Sequence, residues 1–212
     1  MERITIEQLP ALFRSIALQF EKNEELLCEM DSRMGDGDLG LTMRKGFCAM
    51  PKILEEMDES DFAKKIRKIG MEMTDIVPST MGMLMGTGIA FGGKNLAGKD
   101  GMDAEGVVLF LEGYSAGIVK RGKCERGDCT VLDAIAAAAD EARKAAEEGK
   151  NLAGVCVAAR DGAEKGAEAT REMLPKFGKA AVHRNVALGV MDQGAMAGLL
   201  FVKGLTDYIL KK

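Results

Sequence analysis

Apolar residues recur at helical spacing along nearly the whole chain. Leu9, Phe13, Ile16 and Phe20 step by four, three and four residues, which puts them on one face of a 3.6-residue period. The preceding Thr5-Ile-Glu-Gln8 reads as a capping box, and Pro10 suits a first full turn, so a first helix is expected to run to about Met30. A second covers about residues 39–50 and is expected to stop at Pro51, whose ring disfavours helix in the residue before it. A third begins near Ser60, carries Ile66, Ile69, Met73 and Ile76 on one face, and ends before Pro78. Five more segments fit the remainder, at about residues 79–97, 103–120, 130–148, 151–174 and 193–210. No segment alternates with period two, so strands are not expected. Short connections between eight helices favour antiparallel neighbours. The expected fold is therefore all-α, an eight-helix antiparallel up-and-down barrel or bundle, with residues 1–212 forming one domain.

An up-and-down order places alternate loops at one end. The loops at residues 30–40, 78–82, 120–130 and 175–193 then share a rim, and they carry the unusual chemistry. In the first, Asp31, Asp36 and Asp38 fall within eight residues and glycines separate them. With Gly37 free to take positive φ, Asp36 and Asp38 can point to the same side while Asp31 reaches across from a helix end. Crowded carboxylates repel unless a cation sits among them. Hard oxygen ligands select Mg²⁺ or Ca²⁺, and Mg²⁺ at about 2.1 Å takes much of its shell from water and substrate phosphates. This points to phosphoryl transfer; an ordinary solvated Asp/Gly turn is the competing reading. An EF-hand does not fit, because Leu41 and Met43 stand where oxygen ligands are needed and no Glu closes the loop.

The other rim loops add to this. Pro78-Ser-Thr-Met-Gly82 opens a glycine-rich helix, and a helix N-terminus with small hydroxyl residues suits phosphate, although a plain Ser/Thr cap reads the same way. Gly86, Gly88, Gly92 and Gly93 further along favour close helix packing over ligand contact. Arg121 to Thr130 holds three cations and ends in Thr130-Val-Leu-Asp133, where Thr130 caps the next helix; a solvated basic loop is the plainer account. The segment from Pro175 to Gln193 holds Lys176, Lys179, the single histidine His183 and Arg184, and has the length of a lid or binding loop.

Composition narrows the class. Hydrophobic residues are 47%, charged residues 29% and the net charge is −4, which fits a globular protein and not a nucleic-acid surface. The five cysteines, an odd number at no metal-finger spacing, fit reduced thiols in the cytoplasm. The start, Met-Glu-Arg-Ile-Thr, does not read as a signal peptide, and no run of about 18 apolar residues spans a bilayer, so no membrane partner is expected.

Four motifs in register carry a resemblance to one family. They are Asp31 with Gly35-Asp-Gly-Asp38 and Gly46-Phe47, then Ser79-Thr-Met-Gly82 to Gly86-Thr87, then Arg121-Gly-Lys123 to Gly127-Asp128 with Thr130 and Asp133, and finally Asp192-Gln-Gly-Ala195. Across essentially its whole length the chain resembles the L subunit of dihydroxyacetone kinase, also found as the C-terminal nucleotide domain of single-chain dihydroxyacetone kinases. The resemblance implies an eight-helix barrel that holds ADP or ATP at one rim through two Mg²⁺ ions bound to Asp31, Asp36 and Asp38. It places nucleotide contacts on Leu39, Gly40, Leu41 and Thr42, on Ser79, Thr80 and Met81, on Gly122 and Val131, and on Asp192, Gln193 and Gly194, with Lys179 near the place of a basic residue that serves catalysis.

Partners follow from the same resemblance. A ketose is held on a separate K subunit as a hemiaminal, and the bound ADP is either rephosphorylated in place by a phosphohistidine protein of the phosphotransferase system or exchanged for ATP. A homodimer is the expected assembly. The family commonly reads Gly-Asp-x-Asp-His-Gly-x-Asn, whereas Leu39 and Thr42 replace the histidine and asparagine here, and Met81 stands where a serine is common. The loop before Asp192 reads Val182-His-Arg-Asn-Val-Ala187 in place of Tyr-Leu-Gly-Glu-Arg-Ser. A reading from another class is a catalytically reduced ADP-binding regulator of a partner kinase or transcription factor, which Leu39 and the altered loop favour and the intact aspartate trio opposes.

Overall fold

In the computed structural model, described for residues 2–183 and 187–211, helices account for nearly all regular structure. They are α1 (Leu9–Lys22), α2 (Glu24–Ser32), α3 (Leu39–Glu56), α4 (Phe62–Ile76), α5 (Thr80–Asn95), α6 (Ala104–Gly122), α7 (Val131–Glu147), α8 (Leu152–Ala169) and α9 (Gln193–Leu210). Caps set most of the starts. The side chains of Asp61, Ser79, Asp103, Thr130, Asn151 and Asp192 each accept a hydrogen bond from a backbone N–H of the following turn. Among the described residues no helix is long and apolar enough to cross a membrane.

The helices close into a ring. From α3 to α9 each packs on its neighbours in sequence, and α1 lies between α3 and α9 to complete the circle. The buried stripe of α1, which includes Leu9, Phe13, Ile16 and Phe20, faces inward as its spacing predicts. An aromatic cluster ties opposite sides together: Phe20 stacks on Phe47 with centroids 4.2 Å apart, and Tyr114 meets Phe201 edge-on at 4.9 Å. The glycines of α5 serve packing, as expected. A Cβ on Gly88 would lie 1.9 Å from the Tyr114 ring, so a side chain there would displace the aromatic centre.

Three segments depart from the sequence-based expectation. The first helix divides at Asn23 (φ −115, ψ 17), whose side chain donates to the Gln19 carbonyl at 2.7 Å alongside its own backbone N–H at 3.2 Å. The second does not stop at Pro51 but runs to Glu56, because the core stripe of Phe47, Met50 and Leu54 continues past the proline. Burying such side chains offsets the roughly 3 kcal/mol that an interior proline costs. α8 ends at Ala169 and not near Leu174; a 3₁₀ turn, Thr170–Glu172, follows it. A two-residue antiparallel pair, Ile4–Thr5 with Gly101–Met102, is also present, too short to leave a period-two pattern.

Candidate functional site

The even spacing of up-and-down helices has a consequence at one rim. The N-termini of α3, α5, α7 and α9 open into one cavity of about 360 Å³, lined there by Asp38 and Leu39, by Ser79, Thr80 and Met81, by Thr130 and Val131, and by Asp192, Gln193 and Gly194. Each helix start brings a partial positive charge, so four of them together favour a bound anion.

Against this stands a cluster of negative charge. Carboxylate oxygens of Asp31, Asp36 and Asp38 lie within 4.8 Å of one another. Gly37 takes φ 76 between the last two, the left-handed conformation expected of it. Asp31 is buried at the end of α2, and its Oδ2 accepts from the backbone N–H groups of Gly37 at 2.9 Å, Asp38 at 3.1 Å and Leu39 at 3.4 Å. It thus caps α3 from across the turn and fixes the loop that carries the other two aspartates. Gln193 Nε2 reaches Asp31 Oδ1 at 3.4 Å and ties the start of α9 to the same group.

Asp36 and Asp38 are exposed, and a cation already approaches them. Lys179 Nζ is 2.5 Å from Asp36 Oδ2. This ammonium holds the Asp36 carboxyl below its ordinary value, and Asp36 in turn raises Lys179, with the charges of Asp31 and Asp38 adding to the effect. A lysine drawn to three carboxylates marks the place a cation occupies. Three hard oxygen donors open to solvent on one side fit Mg²⁺, which keeps part of its shell for water and phosphate.

Behind this first layer, carboxylates hold the loops. Asp133 accepts from Gly127 N at 2.6 Å and Thr130 N at 2.8 Å, and Asp128 Oδ1 pairs with Lys176 Nζ at 2.5 Å, joining the loop before α7 to the segment before Lys179. Cys129 sits between them with φ 62, a conformation rare for a residue with a Cβ. Burial pushes its thiol up to about 12, so it is not a nucleophile at neutral pH.

Asp192 is the most perturbed acid of the rim. Burial pushes its carboxyl from the ordinary 3.8 up to about 7, against the hydrogen bonds from Ala195 and Gly194 and with the help of the Asp133 and Asp31 charges. A carboxyl with a raised folded pKa keeps its proton better in the folded chain, so its contribution to stability is lost as pH rises from about 4 to about 7. Lysines beside Asp36 and Asp128 shift those carboxyls the opposite way, below their ordinary value. Thermal unfolding in EDTA is therefore expected to show falling stability between pH 5 and 7, and Asp192→Asn, which keeps an oxygen for the Ala195 N–H, is expected to flatten that slope. An unchanged slope would remove Asp192 as its cause.

Of the residues singled out in the sequence, Asp31, Asp36, Asp38, Leu39, Thr42, Ser79, Thr80, Met81, Val131, Lys179, Asp192, Gln193 and Gly194 line the one cavity. Gly40, Leu41 and Gly122 do not: Gly40 packs on α2, Leu41 points to solvent at 55% exposure, and Gly122 lies by Leu84 and Cys124. The cations of the loop after α6 lie elsewhere too, Arg126 on Asp140 and Arg121 on the flank of the bundle. The backbone of His183 closes the 3₁₀ turn Lys179–His183, and Arg184 lies outside the described residues. Leu84, Cys129 and Phe177 also line the cavity; nothing local in the sequence marks them, since only closure of the ring brings them there.

Residues 33–207 match the family model described as the DAK2 domain. The chain belongs to the DAK2 domain family. Over 186 residues this DAK2 domain is 25% identical to the PEP-dependent dihydroxyacetone kinase, ADP-binding subunit DhaL, of Escherichia coli (strain K12), covering 88% of this chain and 89% of that protein. It is 31% identical over 197 residues to the putative 3,4-dihydroxy-2-butanone kinase of Solanum lycopersicum, covering 88% of this chain but 32% of that one. The crystal structure of the dihydroxyacetone kinase of C. freundii shares its fold, with a TM-score of 0.72 at 23% identity over 98% of this chain and 36% of the kinase chain. A second structure of that kinase, in complex with AMP-PNP and Mg²⁺, gives a TM-score of 0.69 at 24% identity. The chain thus spans about a third of the C. freundii kinase.

Proposed function

We propose that this chain is the nucleotide-binding subunit of a dihydroxyacetone-type, short-ketose kinase, with residues 1–212 acting as one cytoplasmic domain. The observation that carries the proposal is the trio Asp31, Asp36 and Asp38, with carboxylate oxygens within 4.8 Å of one another, at a cavity into which four helix N-termini open. Its similarity along nearly the full length of the E. coli ADP-binding subunit supports the same reading. The ketose then belongs to a separate K subunit, and exposed Leu41, Phe177, Val182 and Leu188 give the segments around the cavity an apolar edge for docking.

Phosphoryl transfer asks little covalent work of a protein; positioning and charge neutralisation supply most of the catalysis. Magnesium, two ions in this reading, supplies that neutralisation when bound. Asp31 enters as a pre-set ligand because three backbone N–H groups hold it, whereas Asp36 and Asp38 face solvent and adapt. The free N–H groups near Thr80 and Met81 at the start of α5 receive the β-phosphate. Lys179 leaves Asp36 as the site loads and offsets the charge of the phosphoryl group in transit. No general base is required.

The names of relatives from Escherichia coli and Listeria innocua, PEP-dependent kinases, support a phosphohistidine protein as the donor that rephosphorylates ADP in place. Mass spectrometry of the native protein is expected to show retained ADP, and labelled phosphate is expected to pass to it from a phosphohistidine donor in the presence of Mg²⁺. Absence of retained nucleotide together with absence of transfer, both from a phosphohistidine donor and from ATP, would overturn the kinase reading. Lys179→Met is expected to lower transfer by about tenfold to a hundredfold, while Mg²⁺ binds the nucleotide-free protein at least as tightly because its competitor at Asp36 is gone. Weaker Mg²⁺ binding in that variant would contradict the role given to Lys179.

A further inference from the structure

On the flank of the bundle α5 lies recessed between α4 and α6, and the furrow along it differs chemically from the rest of the surface. It is lined by Arg67 of α4, Lys94 of α5, and Lys120 and Arg121 at the end of α6, and by no carboxylate. Several arginines elsewhere find partners on neighbouring helices: Arg14 on Glu55, Arg44 on Glu24, Arg143 on Glu105 and Glu112. These four have no carboxylate of the described residues within 4.0 Å, in a chain whose net charge is −4. Acidic partners are therefore plentiful in the sequence, yet none is placed here.

Two of the four cations meet at one ring. Lys94 Nζ lies 5.8 Å and Lys120 Nζ 5.2 Å from the centroid of Phe91, so two ammoniums from different helices share one aromatic contact. Like charges brought together in this way repel, and a bound polyanion relieves the repulsion. Arg67 and Arg121 supply planar forks that match phosphate oxygens, and the lysines supply point charges. Phe91, Met83 and Ala90 on the floor give a carbon skeleton an apolar bed. The furrow holds about 440 Å³, within the range of small-molecule sites.

We propose that the furrow between α4, α5 and α6 binds a small organic polyphosphate, a metabolite carrying two or more phosphoryl groups. No residue lines both this furrow and the rim cavity, so the site is separate from the nucleotide site and does not rest on the function proposed for it. It also gives a place to Arg121, whose side chain the rim leaves unused.

The test uses the ¹⁵N-labelled full chain in EDTA at constant ionic strength, titrated with inorganic tripolyphosphate and, separately, with a hexose bisphosphate. Amide signals of residues 87–94 and 119–121 are expected to shift and saturate, with half-saturation below about 1 mM. The double variant Lys94→Gln/Lys120→Gln, both exposed and outside the core, is expected to keep the remaining spectrum and to weaken this response by about tenfold or more. Three results would overturn the proposal. One is the absence of saturable shifts at these amides; another is an undiminished response in the double variant. The third is saturation by an oligoglutamate peptide but by neither phosphate compound, which would make the furrow a protein-docking face.

Discussion

Asp36→Asn is expected to weaken Mg²⁺-dependent ADP binding by roughly one to three powers of ten while the melting temperature barely moves. The split follows from where the side chain sits. Asp36 is 58% exposed and its ion pair with Lys179 is a surface pair, of the kind that contributes little to stability. Removing its charge leaves the hydrophobic core untouched and takes one of three hard oxygen donors from the proposed metal site. It also frees Lys179 and reduces repulsion among the aspartates, so the metal-free variant is expected to be at least as stable as the parent. Calorimetric titration of ADP with and without Mg²⁺, paired with thermal unfolding, measures both halves. Unchanged ADP affinity would mean that the turn is not the metal site. A large loss of stability would mean that the turn serves the fold.

Gly40→Ala is expected to do the reverse, damaging fold and site together. A Cβ at position 40 would stand 2.0 Å from the backbone carbonyl oxygen of Glu24 and 2.8 Å from Cys28 Sγ, so α2 and α3 must separate to admit it. Backbone cannot rotate away as a side-chain tip can. Overpacking of this kind costs about 3 kcal/mol, or a fall of roughly 6–12 °C in melting temperature for a chain of this size. The displacement also matters for chemistry. Asp31 rides on α2 while Asp38 and Leu39 open α3, and separating the helices breaks the hydrogen bonds that the Asp38 and Leu39 amides donate to Asp31. ADP affinity should therefore fall even well below the melting temperature. A variant as stable as the parent would show that the helices are not in the close contact described.

These two positions also show what the sequence makes legible. The aspartate trio could be read locally, because two carboxylates flanking a glycine in a tight turn converge whatever the rest of the chain does. The starts of α4 to α9 were legible for the same reason, each set by one Ser, Thr, Asp or Asn side chain. The continuation of α3 through Pro51 was not, since it depends on Phe47, Met50 and Leu54 finding a common core. Nor was the break at Asn23, where one side-chain hydrogen bond outweighs the apolar period on either side. At the site, Cys129 and Phe177 come from segments far apart in the chain and meet only when the ring closes. Gly40 and Gly122 were drawn in by resemblance, and their places on the helices turn them toward packing.

The central claim is that Asp31, Asp36 and Asp38 hold the divalent metal that positions nucleotide phosphates. The most direct measurement is a crystal structure of the protein with Mn²⁺ and ADP, with Mn²⁺ located by its anomalous scattering. The account predicts metal density among the three carboxylates, bridged to ADP phosphates that lie at the start of α5, with Lys179 withdrawn from Asp36. Nucleotide bound elsewhere, or ADP at the rim with no metal touching these aspartates, would contradict it.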